Sequence, residues 1–188
     1  SVGPLTKVGG LTLFQRAVLT LQRGGISTII ILAGSEEEAL RRIVQDDPRI
    51  RLSLRWRPVR EFPPHDPKTW EGLAAEVRGG CVIVGVQAVF SKGLVERLRH
   101  GYHGREVALV VRSEADGIAR EAAEPVVRIK GDRIVSFQHE IELPMSDHLP
   151  AADLVAAPLS LFREVAVRPP DGTEPPFSPL APVLAQWA

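Results

Sequence analysis

Arg55, Arg57 and Arg60 leave an alternating apolar stretch (Ile50, Leu52, Leu54, Trp56) and enter a segment with three prolines over residues 57–66. Guanidinium groups present a planar fork of donors that fits a phosphate. A loop at the carboxyl end of a parallel strand is where open α/β sheets bind ligands. The three cations are therefore candidates for holding a phosphate, and a solvated charge run is the other reading. Lys68 and Thr69 follow Asp66-Pro67, an N-cap with proline at the first helical position. Helix N-termini favour anions, so this pair is a second candidate for a phosphate contact.

Other chemistry-bearing residues form no pattern. The histidines at 65, 100, 103, 139 and 148 lack metal-ligand spacing, and with one cysteine no zinc site is convincing. His100 and His103 flank Gly101 and read as the close of a helix. Ser35 follows Gly34, but no G-x-S-x-G elbow surrounds it, and capping explains it. Gly80, Gly85 and Gly93 fit no dinucleotide or P-loop spacing. Cys81 sits in the strand-like run Cys81-Val82-Ile83-Val84 and reads as a buried structural thiol.

Hydrophobic periodicity supplies the elements that would position these groups. Leu11, Phe14, Ala17, Val18 and Leu21 recur at helical spacing, so residues 11–23 form a helix ended by Gly24-Gly25. Residues 26–33 are continuously apolar and β-branched, as in a strand covered on both faces. Ser35-Glu36-Glu37-Glu38 reads as a capping box for a helix through Val44. A strand over 50–56, a Pro-rich loop, a helix from Pro67, a strand over 81–86, a helix capped by Ser91 and a strand over 107–111 follow. This alternation implies a parallel, doubly wound sheet, with 26–33, 81–86 and 107–111 all parallel. Residues 126–129 and 134–137 then read as a hairpin through Gly131-Asp132. A strand over 154–157 and a short helix over 159–165 close the pattern.

The bulk properties suit one soluble domain. The chain has 188 residues, 44% hydrophobic and 24% charged. Lys plus Arg and Asp plus Glu are both 23, which argues against broad nucleic-acid binding. No apolar run reaches the roughly 18 residues of a membrane span, and no signal peptide opens the chain. A single cysteine excludes an intrachain disulfide and suits a reducing compartment. Arg outnumbers Lys, as in a GC-rich bacterial genome. Ser1-Val2-Gly3-Pro4 and Trp187-Ala188 read as abrupt ends, so residues 1–188 are expected to be one domain cut from something longer.

Pro4-Leu5-Thr6-Lys7-Val8-Gly9-Gly10-Leu11-Thr12-Leu13 resembles the segment P-L-x-x-V-G-G-x-x-L of nucleotidyltransferases of the sugar-phosphate and molybdopterin-cofactor type. Residues 126–137 resemble the late hairpin of that family, and the likeness runs over roughly residues 4–162. It is nearest to inositol-phosphate cytidylyltransferase-like domains, which occur fused to membrane CDP-alcohol phosphotransferases. The resemblance implies a Rossmann-like or GT-A-like three-layer α/β domain, with a mostly parallel mixed sheet and a late hairpin. It also implies an activity: a nucleoside triphosphate, CTP in the nearest group, joins an alcohol or sugar phosphate with release of pyrophosphate. Such chemistry needs alignment and charge neutralisation more than covalent help. Gly9 and Gly10 then approach the nucleotide, and Mg²⁺ is held by carboxylates. Phospholipid biosynthesis, in the cytoplasm or at the inner membrane face through a fused domain, follows from the same likeness.

The sequence departs from this pattern in four places. The opening strand and its loop, A-A-G-x-G-x-R, should precede Pro4. The basic residue before the P-L pair is replaced by Gly3. The Ser or Asn that opens the third helix is replaced by Asp66-Pro67-Lys68-Thr69-Trp70. The metal-binding Asp after the strand at 81–86 becomes Gln87 when aligned on Val89-Phe90, or Val86 when aligned on Gly85. Gln offers Mg²⁺ only a neutral oxygen. Asp153 resembles the second metal-binding Asp in place, and a loop-capping Asp is its other reading. Two expectations stand together: an active cytidylyltransferase, or an inactive domain of the same fold that binds a ligand or supports a membrane partner.

Overall fold

Glycine and threonine, rather than apolar periodicity, decide how the chain begins. The computed structural model describes residues 3–63, 66–77, 79–85, 88–101, 108–111, 126–130, 133–138, 148–158, 160 and 162. Lys7–Val8 (β1) and Leu11–Thr12 (β2) pair antiparallel, with Val8 across from Leu11. Gly9 and Gly10 make the turn at φ 59° and 82°, a region that glycine enters without steric cost. Helix α1 therefore spans Leu13–Arg23 and not 11–23, because Leu11 and Thr12 are spent on the hairpin. Thr12 caps it: Gln15 N donates to Thr12 Oγ1 at 3.1 Å, and Thr12 N donates back to Gln15 Oε1 at 3.1 Å.

Strand β3 (Thr28–Ala33) pairs parallel with β4 (Ser53–Pro58), in register from Thr28↔Ser53 to Ala33↔Pro58. Its two faces serve two layers. Ile29 and Ile31 pack with Phe14 and Val18 of α1 and with Leu40 of α2 (Glu37–Gln45). Ile30 and Leu32 pack with Trp70 and Leu73 of α3 (Pro67–Glu76). Two expectations change here. Ser35 does not cap α2: the N-cap is Glu36, which makes no side-chain cap bond, because Glu37 N closes a turn onto Gly34 O at 3.2 Å. Arg57 and Pro58, expected in irregular loop, belong to β4. Proline is tolerated at the end of a strand, and the ladder runs on through Val59 N to Ala33 O at 2.8 Å.

Asp66 caps α3 as its position predicts, accepting from Lys68 N at 2.9 Å, with Pro67 in the first turn. Strand β5 (Cys81–Val84) leads to α4 (Lys92–Gly101), where Leu94 N donates to Ser91 Oγ at 3.2 Å. Val95 of α4 is fully buried. Strand β6 is Ala108–Val111. The late hairpin forms as expected from β7 (Val126–Lys130) and β8 (Arg133–Gln138).

The largest difference is β9. It runs from His148 to Ala157 rather than from Leu154. It passes between β5 and β6 and is antiparallel to both, with Val155 across from Ile83 on one side and from Leu109 on the other. Strands β5 and β6 therefore point the same way but do not touch. The start of β9 pairs with β7 through His148–Pro150. Leu154, Val155, Ala156 and Ala157 are all buried, as an inserted central strand requires. Among the described residues, β3–β4 and the β9 sheet share the core under α3 without a ladder between them. Of the short helix expected over 159–165, Ser160 and Phe162 are described, both helical.

Candidate functional site at the glycine turn and the carboxyl edge

The Gly9–Gly10 turn rests on the first turn of α1. Leu13 N donates to Thr6 O at 2.9 Å, Phe14 N to Pro4 O at 3.1 Å, and Gln15 N to Thr12 Oγ1 at 3.1 Å. The helix N-terminus thus spends its free amides on its own leader and cap. The amides of Gly9 and Gly10 meet no acceptor among the described residues, and both glycines are exposed. Beneath them lies a side chain that sequence reasoning passed over. Arg16 Nη2 donates to Val8 O at 2.7 Å, and a β-carbon at Gly9 would sit 3.1 Å from that nitrogen. In the sequence Arg16 reads as one polar residue on a helix face; its place under the turn exists only once the hairpin folds back.

The other candidates have protein partners. Arg57 donates from Nε and Nη2 to Glu76 Oε1 at 2.9 and 2.6 Å and lies over the Phe62 ring. Arg55 reaches the other oxygen of Glu76 at 3.4 Å, and Arg60 pairs with Glu61. Lys68 is exposed, and its amide is taken by the Asp66 carboxylate, which brings negative charge to the start of α3. Thr69 is buried. No hydrogen bond or ion pair among the described residues joins the glycine turn to Arg57 or Lys68.

Strand register places the remaining candidates. Val84 is across from Leu154, so one step further sets position 153 across from Gly85, at the carboxyl end of β5. The end of β6 meets the same part of β9, with Val111 across from Ala151. Asp153 therefore lies where β5 runs out toward residue 87, while Gln87 itself is outside the described residues. Among the described residues no three of His, Cys, Asp and Glu gather to hold a metal. Of the two positions implied for Mg²⁺, 153 holds a carboxylate and 87 a neutral amide. Burial pushes the Cys81 thiol up to about 12, far from the thiolate range. Asp47 is held down at about 2, chiefly by the Arg49 guanidinium, and also accepts from Gln15 Nε2 at 3.3 Å.

No family model matches the chain, and no curated protein matches it. Solved structures do. The inositol-1-phosphate CTP transferase from T. maritima superposes with a TM-score of 0.69 at 14% identity, over 97% of this chain and 71% of that one. A UDP-glucose pyrophosphorylase solved with UDP-glucose gives 0.67 at 11% identity, over 97% and 77%. A Bacillus anthracis protein assigned as a glucose-1-phosphate thymidylyltransferase gives 0.66 at 17%, over 89% and 67%.

The chain has the nucleotidyltransferase fold.

No helix among the described residues is long and apolar enough to cross a membrane.

Proposed function

We propose that this chain is a nucleotidyltransferase domain that transfers CMP from CTP to an alcohol or sugar phosphate. In that reaction an oxygen of the acceptor phosphate attacks the α-phosphorus. A new P–O bond forms, the bond from the α-phosphorus to the bridging oxygen breaks, and pyrophosphate leaves with the electron pair. The carrying observation is the fold shared with enzymes named for this transfer to sugar and inositol phosphates, one of them a CTP transferase. The open amides of Gly9 and Gly10 support it, since glycine lets backbone approach a phosphate closely. Mg²⁺ belongs to the proposal as the ion accompanying the triphosphate, with Asp153 and Gln87 as its positions. The proposal also includes an opening strand and glycine-rich loop contributed from outside residues 1–188. The setting is cytoplasmic, with a fused or partner membrane domain at the inner face.

A second reading has its own observation. Gln87 stands where the resemblance implies a carboxylate, and Arg57 is neutralised by Glu76. Both suit a catalytically inactive domain that binds a ligand or supports a membrane CDP-alcohol phosphotransferase. Pyrophosphate release by the full-length polypeptide, with CTP and a polyol phosphate, separates the two. Sustained release above the enzyme-free rate supports the transferase. No release from the unmodified protein, together with turnover gained on Gln87→Asp, supports the inactive domain. UTP and dTTP, run in parallel, test the base.

A further inference from the structure

We infer that Arg16, held under the Gly9–Gly10 turn, is the cation that meets a phosphoryl group bound there. The inference rests on the reading that this turn faces a nucleotide, and it names the charge that reading lacks. Three observations carry it.

The first is charge accounting. Arg41, Arg49, Arg55, Arg57, Arg60 and Lys92 each have a carboxylate partner within 4 Å. Arg16 has none among the described residues, and α1 has no acidic residue in its first turn. Arg23, Arg51, Arg97 and Arg99 share this lack among the described residues, and the place of Arg16 under the turn is what separates it from them. Arg57, the cation expected to hold phosphate, is already held in two hydrogen bonds by Glu76.

The second is hydrogen-bonding capacity. A guanidinium has five N–H donors in a fixed fork. Arg16 commits one group to Val8 O, which fixes the plane of the fork against the turn. Its Nε is shielded from solvent and has no acceptor among the described residues. A buried donor without a partner is rare enough to require an explanation, and an acceptor brought by a ligand is one.

The third is geometry. Nη2 lies 3.1 Å from where a Gly9 β-carbon would be, so a side chain there would push the guanidinium back, and φ 59° itself favours glycine. The guanidinium thus lies against Val8 and Gly9, in the turn that carries the two open amides. Backbone donors beside a bidentate cation are a phosphate-binding combination. The amides of α1 itself take no part, being used by Thr6, Pro4 and Thr12.

The test is a titration of CTP into isotopically labelled protein, following the Gly9 and Gly10 amides and the Arg16 Nε–H. Arg16→Gln, Arg16→Lys and the control Arg23→Gln, in the last turn of the same helix, are compared. All three signals are expected to move together in the unmodified protein. Arg16→Gln should weaken CTP binding about tenfold or more, as the loss of a hydrogen bond to a charged group implies. Arg16→Lys should recover part of that loss, and Arg23→Gln should change affinity less than about twofold. If CTP moves the glycine amides but leaves Arg16 Nε–H and the Arg16→Gln affinity unchanged, the role of Arg16 is overturned and the nucleotide turn stands. If CTP moves neither glycine, both fall. Should Arg16→Gln fail to fold, the Nε–H signal of the unmodified protein decides: stationary while Gly9 moves, it overturns the inference.

Discussion

Asp47 shows how one residue ties the start of the fold to its middle. It is buried, accepts from Arg49 Nε and Nη2 at 2.8 and 2.7 Å, and takes the Gln15 amide that also closes the α1 cap. These bonds favour the ionised form, so its value falls from 3.8 to about 2. The unfolded chain takes up the proton first as the pH falls, so protonation favours unfolding. The stabilisation is fully present above about pH 4 and is lost between roughly pH 4 and pH 2. Asp47→Asn should flatten this step in the urea midpoint measured from pH 5 to pH 2. A variant with an unchanged slope would show that other carboxylates govern acid unfolding. At this scale the sequence was only partly legible. The cap at Asp66 has a local signature and could be read directly. The pairing of Arg57 with Glu76 could not, because it joins residues 19 apart, and an arginine beside a loop looks the same with or without a partner. Arg16 escaped notice for the same reason.

Between elements, the contact of α1 with α4 is set by a missing side chain. A β-carbon on Gly24 would sit 2.5 Å from Cγ1 of the fully buried Val95. Gly24 has φ −77°, so an alanine meets no backbone strain and the clash alone opposes it. Gly24→Ala should cost about 1–3 kcal/mol, the usual range for overpacking. Val95→Gly removes both Cγ1 and the Cβ that would lie 2.6 Å away, so the double variant should be clearly more stable than the sum of the two single costs. Additive losses in a denaturant cycle would mean that the helices do not meet at this point. The sequence showed that these helices exist, since each has an apolar stripe with end signals. It did not show the β1–β2 hairpin, because strands of two residues have no periodicity. Nor did it show the first half of β9, where Pro150 and two alanines carry no strand signature. Continuous apolar runs betrayed β3, β5 and β6 as covered strands, but such a run does not say which strand lies beside it. The insertion of β9 pairs residues 70 to 76 apart with β5 and 40 to 48 apart with β6, beyond the reach of any local pattern.

Among the described residues of the whole molecule, β3–β4 and the five-stranded sheet are not joined, and their open edges make the proposed opening strand testable. In a strand, the N–H and C=O of one residue point to the same side. Ser53 N donates to Ser27 O and Val59 N to Ala33 O, so odd-numbered residues of β3 face β4. The backbone groups of Thr28, Ile30 and Leu32 therefore point to the other edge, which has no partner among the described residues. Among the described residues strand β5 has β9 on one side only, and Cys81, Val82, Ile83 and Val84 are each half-buried, although their composition suits full cover. Both edges lie under the same helix, since Trp70 and Leu73 belong to the core that includes Ile30, Leu32, Cys81 and Ile83. A strand leading into Pro4 would reach α1 at the carboxyl edge. With α1 and β3 it would complete a right-handed βαβ unit. Hydrogen exchange on residues 1–188 should then show an alternation, with Ile29, Ile31 and Ala33 protected on the order of 100-fold more than Thr28, Ile30 and Leu32. In a longer polypeptide that supplies the strand, the three even-numbered amides should become as slow as the odd ones. Equal protection along β3 in residues 1–188 would mean that this edge is already paired. Unchanged exchange in the longer chain would mean that the added segment folds elsewhere, and the proposed opening strand would be lost with it.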